Sequence, residues 1–432
     1  MILAFCQAPG RIAADTKLDL TADPLAFLTR AAHQWSSIAP LGQVQNQAYG
    51  YFFPHGGFFL AGHLAHIPPW VTQRLWWGLL LAVGFWGVVR VADALGVGSR
   101  TSRMVAAAAF VLSPRVLTTI GPISSETLPM MLAPWVLLPV ILALDRRGPG
   151  SADPDGARLA DRAPSMRMLA ARSAAAVAMM GAVNAVATGF ACLIAGLWWI
   201  AHRPDARWRR FTAWWIPALA IACAWWIVPL WLLGQVSPPF LDFIESSVTT
   251  TRWTSLPEVL RGTSSWTPFV SPGTATGVSL VNQPILALAT GLLAAAGLAG
   301  LAMRRMPAKG RLVAILLVGV AGMAIGYDGA LGSAVAEQVR SFLDGAGAPL
   351  RNVHKLDPLI RLPLVLGLAH LLGRVPLPGA APWRRARGAF AHPEHEPMVA
   401  VTALVAAGLV LASGPAWLGN LAPRGSYTSI PD

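Results

Sequence analysis

Four charged side chains lie close together near the start of the chain, in the stretch DTKLDLTADPLAFL. Asp15, Asp19 and Asp23 are spaced i, i+4, i+8, so a helix would place them on one face, and Lys17 lies among them. Several carboxylates on one face can provide a general base that takes a proton from an attacking hydroxyl. The alternative is a set of solvated loop charges, with Asp23 before Pro24 capping a helix.

A second cluster, of basic residues, lies in RNVHKLDPLIR (351–361), directly before an apolar run. Asp357-Pro358 is a typical helix start, because proline is favoured at the first helical position. Cations at a helix N-terminus oppose the helix dipole unless an anion joins them, and together with the backbone donors they form a phosphate site. The alternative is an internal ion network in which Asp357 and other acids neutralise the bases. The predicted phosphate ligands are Arg351, His354, Lys355 and Arg361, helped by Lys17 or Arg252.

The segment 235–283 again mixes acids, cations and aromatic side chains. Glu245 follows the apolar pair Phe243-Ile244, which would desolvate the Glu245 carboxylate and raise its basicity. Glu245 is therefore a second candidate for the general base. The alternative is a simple surface ion pair between Glu245 and Arg252.

Amide and aromatic side chains occur together in QVQNQAYGYFFPHGG (43–57), as is typical of carbohydrate-binding surfaces. An interfacial amphipathic helix with aromatic anchors would explain the same pattern. The candidate ligands for a carbohydrate acceptor are Gln45, Asn46, Tyr49, His55 and Trp253.

The composition indicates what kind of protein carries these clusters. Of 432 residues, 55% are hydrophobic and 12% are charged, against about 25% charged residues in soluble domains. The 18 Trp and 35 Pro suit membrane helices with aromatic belts and broken segments. The three cysteines, Cys6, Cys192 and Cys223, lie in apolar runs and predict neither a disulfide framework nor a metal site.

The apolar runs predict an all-α polytopic membrane protein with about eleven transmembrane or re-entrant helices. The stretch 173–201 predicts two short helices that turn near Asn184. The N-terminal MILAFCQA predicts part of a helix whose start is missing. The other runs that approach the length of a span lie at about 71–90, 104–120, 129–144, 211–234, 284–302, 311–327, 359–373 and 398–417.

The distribution of charge between alternate loops predicts the orientation. One set of loops holds 21 of the 33 basic residues and 8 of the 20 acidic ones, and the other set is neutral. By the positive-inside rule the basic set is cytoplasmic. The neutral set, which includes 9–70, 235–283 and 328–358, is then periplasmic, and the net charge of +13 reflects topology rather than nucleic-acid binding.

Several stretches resemble one known family, the arabinofuranosyltransferase D proteins of mycobacteria. They include APGRIAADTKLDLTADPLAFL, GQVQNQAYGYFFPHG, LSPRVLTTIGPISSETLPMMLAPWVLLP, TTTRWTSLPEVLRGTSSW and RNVHKLDPLIRLPL. The resemblance implies a membrane glycosyltransferase of the C-type fold that acts in cell wall biogenesis. It implies decaprenylphosphoryl arabinofuranose as the donor and the arabinan of arabinogalactan or lipoarabinomannan as the acceptor. It also implies that an α-1,3 branch forms in one inverting displacement, which needs one base.

The resemblance also ranks the candidate bases. Enzymes of this fold class place a catalytic carboxylate at the start of the first outer loop, so Asp19 is the first choice and Glu245 the rival. The sequence identifies no cofactor, and whether a divalent metal assists the reaction stays open. Family members are much longer, so we expect 1–417 to be the membrane core and 418–432 the start of a truncated periplasmic region. The alternative function is a polyprenyl-linked saccharide flippase or transporter, whose cations should lie at mid-membrane depth.

Overall fold

A computed structural model describes residues 1–429 except 16, 34, 38–41, 45–47, 146–163, 237–239, 270–275, 376–381, 393–396 and 423–425. The described part is predominantly helical. Its α-helices are α1 (Ile2–Phe5), α2 (Leu18–Ala22), α3 (Pro24–Ala31), α4 (Gly57–Leu64), α5 (Pro69–Leu95), α6 (Arg100–Val111), α7 (Pro114–Leu117), α8 (Ser124–Leu144), α9 (Met166–Ala178), α10 (Ala185–Ile200), α11 (Ala206–Val236), α12 (Ser247–Thr251), α13 (Leu256–Arg261), α14 (Thr276–Asn282), α15 (Pro284–Ala302), α16 (Lys309–Ala324), α17 (Ala336–Asp344), α18 (Asp357–Leu372), α19 (Trp383–Ala391) and α20 (Pro397–Trp417).

Shorter elements connect these helices. A kinked segment (Phe52–Gly56), in which Phe53 has extended backbone angles, follows the 3-10 helix Ala48–Tyr51. Further 3-10 helices span Phe240–Phe243, Thr267–Phe269, Ala348–Leu350 and Val353–Leu356. In the described part of the chain, four two-residue strands form two antiparallel pairs. The strand β1 (Ile12–Ala13) pairs with β4 (Tyr427–Thr428), and β2 (Trp35–Ser36) pairs with β3 (Gln43–Val44).

Within the described residues, five helical segments are long and apolar enough to cross a membrane: α5, α8, α11, α15 and Val399–Trp417 of α20. The ends of α5 follow from its sequence, because Pro69 stands in its first turn and Gly96, with φ of 62°, ends it in the left-handed conformation. The described chain is thus predominantly helical, as predicted, but the predicted number of about eleven membrane helices is not confirmed.

Most predicted apolar runs coincide with helices, and two cases are informative. The run 173–201 forms α9 and α10, and the Asn184 side chain caps α10 by accepting from Ala187 N at 3.0 Å. The run 104–120 was expected to be one helix. It is broken instead, because α6 ends at Val111 and α7 begins at Pro114, where proline cannot donate the backbone hydrogen bond of a continuing helix.

Helix α8 lies at the centre of the bundle, with nearly all of its side chains buried, and packs against α5, α9 and α10. Helices α15 and α18 approach each other closely through glycine. A Cβ on Gly300 would lie 1.8 Å from the carbonyl oxygen of Gly367, so neither position has room for a side chain where the two backbones meet. These contacts fix the helices that carry the candidate site.

The helix ends gather at two opposite ends of the bundle. At the arginine-rich end, Arg311 Nη1 lies 2.5 Å from Asp145 Oδ1, and Arg207 Nη2 donates to the Ala143 carbonyl at 3.0 Å. At the other end, Gln73 of α5 accepts from Ala13 N at 2.9 Å. Each of these contacts joins segments that the alternation of charge predicts to share a side. That the arginine-rich end faces the cytoplasm stays a prediction.

Candidate functional site

A buried cluster of charged side chains lies where the start of α8 meets the segment before α18. The Glu126 carboxylate accepts a hydrogen bond from Arg115 Nη2. It also lies 3.2 Å from His354 Nε2 and 3.4 Å from Lys355 Nζ. The four side chains are exposed by only 1% to 9%. Two cations against one carboxylate leave this cluster with one excess positive charge, provided that His354 is neutral.

His354 is indeed neutral at pH 7. Burial is the main cause that lowers the pKa of its imidazole, to about 4, and the charge of Arg115 adds to the effect. A neutral imidazole has one N–H donor, and Nε2 is the nitrogen that faces the Glu126 carboxylate. His354 therefore donates from Nε2 and orients Glu126 rather than adding a charge.

The same cluster contains buried polar atoms without a hydrogen-bond partner among the described residues. They are Arg115 Nη1 and His354 Nδ1, and two neighbours in sequence, Ser113 Oγ and Thr127 Oγ1, share this property. Buried polar groups in proteins are nearly always hydrogen-bonded. An unpaired guanidinium nitrogen together with excess positive charge is what an anion such as a phosphate would complement.

Asp15 lies beside this cluster and caps α8 from a distance of 109 residues in sequence. The first residue of α8 is Ser124, and its backbone N–H donates to Asp15 Oδ1 at 2.5 Å. The preceding residue, Ile123, has no side chain that could do this. Asp15 has φ of 42°, a left-handed conformation that aspartate tolerates better than most residues. The carboxylate thus sits at the positive end of the helix dipole.

Asp15 is 8% exposed, and burial raises the pKa of its carboxyl to about 6, although contacts with Ser124 and Trp77 oppose the shift. A carboxyl with a pKa near 6 is ionised at neutral pH and is more basic than an exposed aspartate. These are the properties of a general base.

Two aromatic groups hold Ser124 in place. Its Oγ accepts from Trp76 Nε1 at 3.0 Å and lies 3.0 Å from His55 Nε2. His55 is 3% exposed and packs against the Trp76 ring at 4.3 Å. Burial lowers the pKa of His55 to about 3, so it is neutral. His55, predicted as an acceptor ligand, therefore belongs to the buried support of the α8 N-terminus.

Asp19, the predicted base, lies elsewhere. It is in the first turn of α2, its side chain is 52% exposed, and Arg30 Nη2 lies 3.0 Å from its Oδ2. Lys17 precedes α2 and is half-buried. Asp23 caps α3 by accepting from Ala26 N at 3.0 Å, as the alternative interpretation predicts. Of the three aspartates in this stretch, only Asp15 is buried.

Two of the four predicted phosphate ligands have their guanidinium groups engaged by the protein. Arg351 donates to the carbonyls of Leu343 and Leu241, at 3.1 and 3.0 Å, and to that of Glu245. Arg361 binds Asp357 at 2.9 Å and donates to the Leu260 and Val259 carbonyls. These two residues match the alternative of an internal network. Only His354 and Lys355 reach the Glu126 cluster.

The predicted reason for choosing Glu245 is wrong. Phe243 and Ile244 are 83% and 42% exposed, so they do not shield the Glu245 carboxylate from water. The carboxylate accepts instead from Asn352 Nδ2. The surface pair between Glu245 and Arg252 is not seen either. Arg252 is exposed and lies 5.6 Å from the centre of the Trp253 ring.

The predicted acceptor residues do not form one surface in the described structure. Gln45 and Asn46 lie outside the described residues. Tyr49 is half-buried, and burial raises the pKa of its hydroxyl. Trp253 stacks on Phe269 with ring centres 3.9 Å apart.

Sequence reasoning missed Glu126 and Arg115. The available signal was a glutamate in SSETLP at the start of an otherwise apolar 21-residue helix, since ionisable residues in such segments usually have a function. Within the described residues, no group of three or more His, Cys, Asp or Glu side chains could hold a metal ion.

Comparison with known proteins agrees with this architecture. The family model described as alpha-(1->3)-arabinofuranosyltransferase, N-terminal GT-C domain, matches residues 1–432. The chain is 61% identical over its whole length to an alpha-(1->3)-arabinofuranosyltransferase of Mycolicibacterium smegmatis and 59% identical to one of Mycobacterium tuberculosis. It spans 29% and 30% of the length of these relatives.

The chain also resembles solved structures of an arabinofuranosyltransferase. A cryo-EM structure of arabinofuranosyltransferase AftD from Mycobacteria superposes on 98% of this chain with a TM-score of 0.77 and 52% identity, and this chain covers 26% of that one. A structure of its R1389S mutant matches with a TM-score of 0.75 and 50% identity, over 98% of this chain and 27% of the other. The chain therefore belongs to the family of N-terminal GT-C domains of alpha-(1->3)-arabinofuranosyltransferases.

Proposed function

We propose that this chain is the membrane-embedded catalytic core of an arabinofuranosyltransferase. It transfers arabinofuranose from decaprenylphosphoryl arabinofuranose to the arabinan of arabinogalactan or lipoarabinomannan, with inversion and formation of an α-1,3 branch. The charge bias between its loops supports a plasma-membrane orientation with the site on the periplasmic side. Nucleotide sugars are not available on that side, which favours a lipid-linked donor.

The observation that carries the proposal is the buried cluster around Glu126 beside the carboxylate of Asp15. In the proposed complex, the donor phosphate binds the free Nη1 of Arg115 and the ammonium of Lys355. Glu126 holds these two cations in place, and His354 orients Glu126. Arg351 and Arg361 support the segment 351–361 through backbone carbonyls and do not bind the donor.

In the reaction, the bond between C1 of arabinose and the phosphate oxygen breaks while the acceptor hydroxyl oxygen bonds to C1 from the opposite face. The leaving decaprenyl phosphate keeps the electron pair, and Arg115 and Lys355 neutralise its negative charge. The acceptor hydroxyl loses its proton to Asp15, whose raised pKa of about 6 suits a base at neutral pH. One displacement with one base gives inversion, and no covalent intermediate forms.

The flippase or transporter is not favoured. Its cations should line a cavity at mid-membrane depth, whereas Arg115, Lys355 and Glu126 meet at the end of α8. The named relatives are transferases.

The test is a transfer assay on the purified chain in liposomes, with synthetic decaprenylphosphoryl arabinofuranose and an oligoarabinoside acceptor. Asp15→Asn should lower turnover by about 10²–10⁴-fold and leave donor binding nearly unchanged. Asp19→Asn is the matched control, because it removes an exposed carboxylate four residues away, and it should stay close to wild type. Loss of turnover in Asp19→Asn with normal turnover in Asp15→Asn would return the role of base to Asp19. Absence of any transfer by the folded wild-type chain would count against catalysis.

A further inference from the structure

A groove of about 630 Å³ runs along the outside of the bundle between α5, α8 and α9. This volume lies within the roughly 300–1,000 Å³ of typical ligand sites. Most of its lining is apolar, and the charged groups in the lining are the guanidinium groups of Arg90 and Arg172. It lies away from the Glu126 cluster and shares no lining residue with it.

Two tryptophans, Trp86 and Trp135, line the groove. Trp135 Nε1 donates to the Val83 carbonyl at 2.9 Å, which fixes this indole against α5. Gly87 makes room for it, because a Cβ there would lie 2.8 Å from Trp135 Nε1. Trp86 stands beside it with 56% of its surface exposed. An exposed aromatic surface on a membrane-facing flank is suited to contact with acyl chains.

The length of the groove matches one leaflet. On α8, its lining extends from Leu132 to Leu142, and ten helical residues rise about 15 Å. The hydrocarbon core of a bilayer is about 30 Å thick, so the groove covers roughly half of it. Arg90 lies five residues before the end of α5 and Arg172 six residues after the start of α9. Both are therefore close to the arginine-rich end, within the reach of a long side chain toward the lipid headgroups.

Both arginines are exposed, and within the described part of the chain neither forms an ion pair or hydrogen bond with another residue. No described carboxylate lines the groove. A phospholipid is complementary to this arrangement. Its anionic phosphate can bind the two unpaired cations, and its acyl chains can lie in the apolar groove. Basic pockets between membrane helices on the cytoplasmic side are known to bind anionic headgroups.

We propose that this groove is a binding site for an anionic glycerophospholipid of the leaflet at the arginine-rich end, which the charge bias predicts to be the cytoplasmic leaflet. Arg90 and Arg172 bind the phosphate, and the acyl chains lie over Trp86 and Trp135. The groove is about 15 Å long along α8, which suits the acyl chains of one leaflet better than a decaprenyl chain, so we expect it to bind phospholipid in preference to the polyprenyl donor. The proposal is independent of the transfer reaction.

Native mass spectrometry of the purified chain, titrated with phosphatidylglycerol or phosphatidylcholine, tests the site. The wild type should bind one phosphatidylglycerol in preference to phosphatidylcholine. The double variant Arg90→Gln/Arg172→Gln should weaken phosphatidylglycerol binding by about 30-fold, since each arginine near the membrane surface contributes about 1 kcal/mol. Arg304→Gln/Arg305→Gln is the matched control, because it removes two exposed arginines at the same end outside the groove, and its binding should be unchanged.

A further variant tests the contribution of the apolar groove without changing any charge. Ala175 is exposed and lines the groove, so Ala175→Trp should fill it and weaken binding while the melting temperature is retained. If the two double variants lost phosphatidylglycerol binding equally, the binding would depend on general surface charge, and the proposed site would be wrong. Equal binding of both phospholipids by the wild type, or displacement of phosphatidylglycerol by equimolar decaprenyl phosphate, would also overturn it.

Discussion

Replacing Asp15 by Asn should change the way in which stability depends on pH. The pKa of this carboxyl is 3.8 in the unfolded reference and about 6 in the folded protein. Between these two values the folded state holds a proton that the unfolded state has lost, so the stability of the wild type falls as pH rises from about 4 to about 6. A difference of about 2 pKa units corresponds to about 3 kcal/mol. Asn cannot bind this proton, so the variant lacks the part of the pH dependence of stability that Asp15 causes.

Thermal unfolding of both proteins in the same detergent, from pH 4 to pH 8, measures the effect. The stability of Asp15→Asn relative to wild type should increase by up to about 3 kcal/mol between pH 4 and pH 6 and stay constant above. Infrared spectroscopy gives a direct second readout, because the band of a protonated carboxyl should disappear near pH 6 in the wild type and be missing in the variant. Parallel stability profiles from pH 4 to pH 8, with no such band, would refute a buried carboxyl of raised pKa and with it the main reason for preferring Asp15 as the base.

Three further predictions concern the charge cluster and the topology. Glu126→Gln leaves two buried cations without their anion and should lower the free energy of unfolding by about 3–5 kcal/mol, which thermal unfolding measures. Adding Lys355→Met to this variant should restore part of the lost stability. Lys355→Met alone should weaken donor binding by about 10- to 150-fold in an equilibrium binding assay. Arg361→Met should mainly lower the free energy of unfolding. If Arg361→Met weakened donor binding and Lys355→Met did not, the phosphate would be assigned to Arg361. In a cysteine-free background, an impermeant thiol reagent should label Leu331→Cys in intact cells and Arg305→Cys only in permeabilised ones, and the reverse result would invert the topology.

Much of the helical framework could be predicted from the sequence, because apolar runs and helix-end residues are local signals. The position of α15 at Pro284–Ala302 coincides with the predicted run, and α18 begins at the predicted Asp357-Pro358. The break before α7 was missed although Pro114 was visible, because a proline at the first turn of a new helix and one inside a helix look alike in an apolar sequence.

The candidate site was only partly predictable, because its partners are distant in sequence. The sequence singled out the segment 351–361, but spacing could not show that Arg351 and Arg361 bind backbone carbonyls while Lys355 faces Glu126. Similarly, Asp15 and Asp19 look equivalent on a helical wheel. Burial separates them, and it depends on the contact of Asp15 with Ser124, 109 residues away.

The most direct measurement of the central claim is a cryo-EM structure of the chain with a phosphonate analogue of decaprenylphosphoryl arabinofuranose, which cannot transfer its sugar. The proposal predicts phosphonate oxygens within about 2.7–3.2 Å of Arg115 Nη1 and Lys355 Nζ, with the sugar between them and the carboxylate of Asp15. A phosphonate bound elsewhere, at Arg351 or between Arg90 and Arg172, with the Glu126 cluster unchanged, would contradict it.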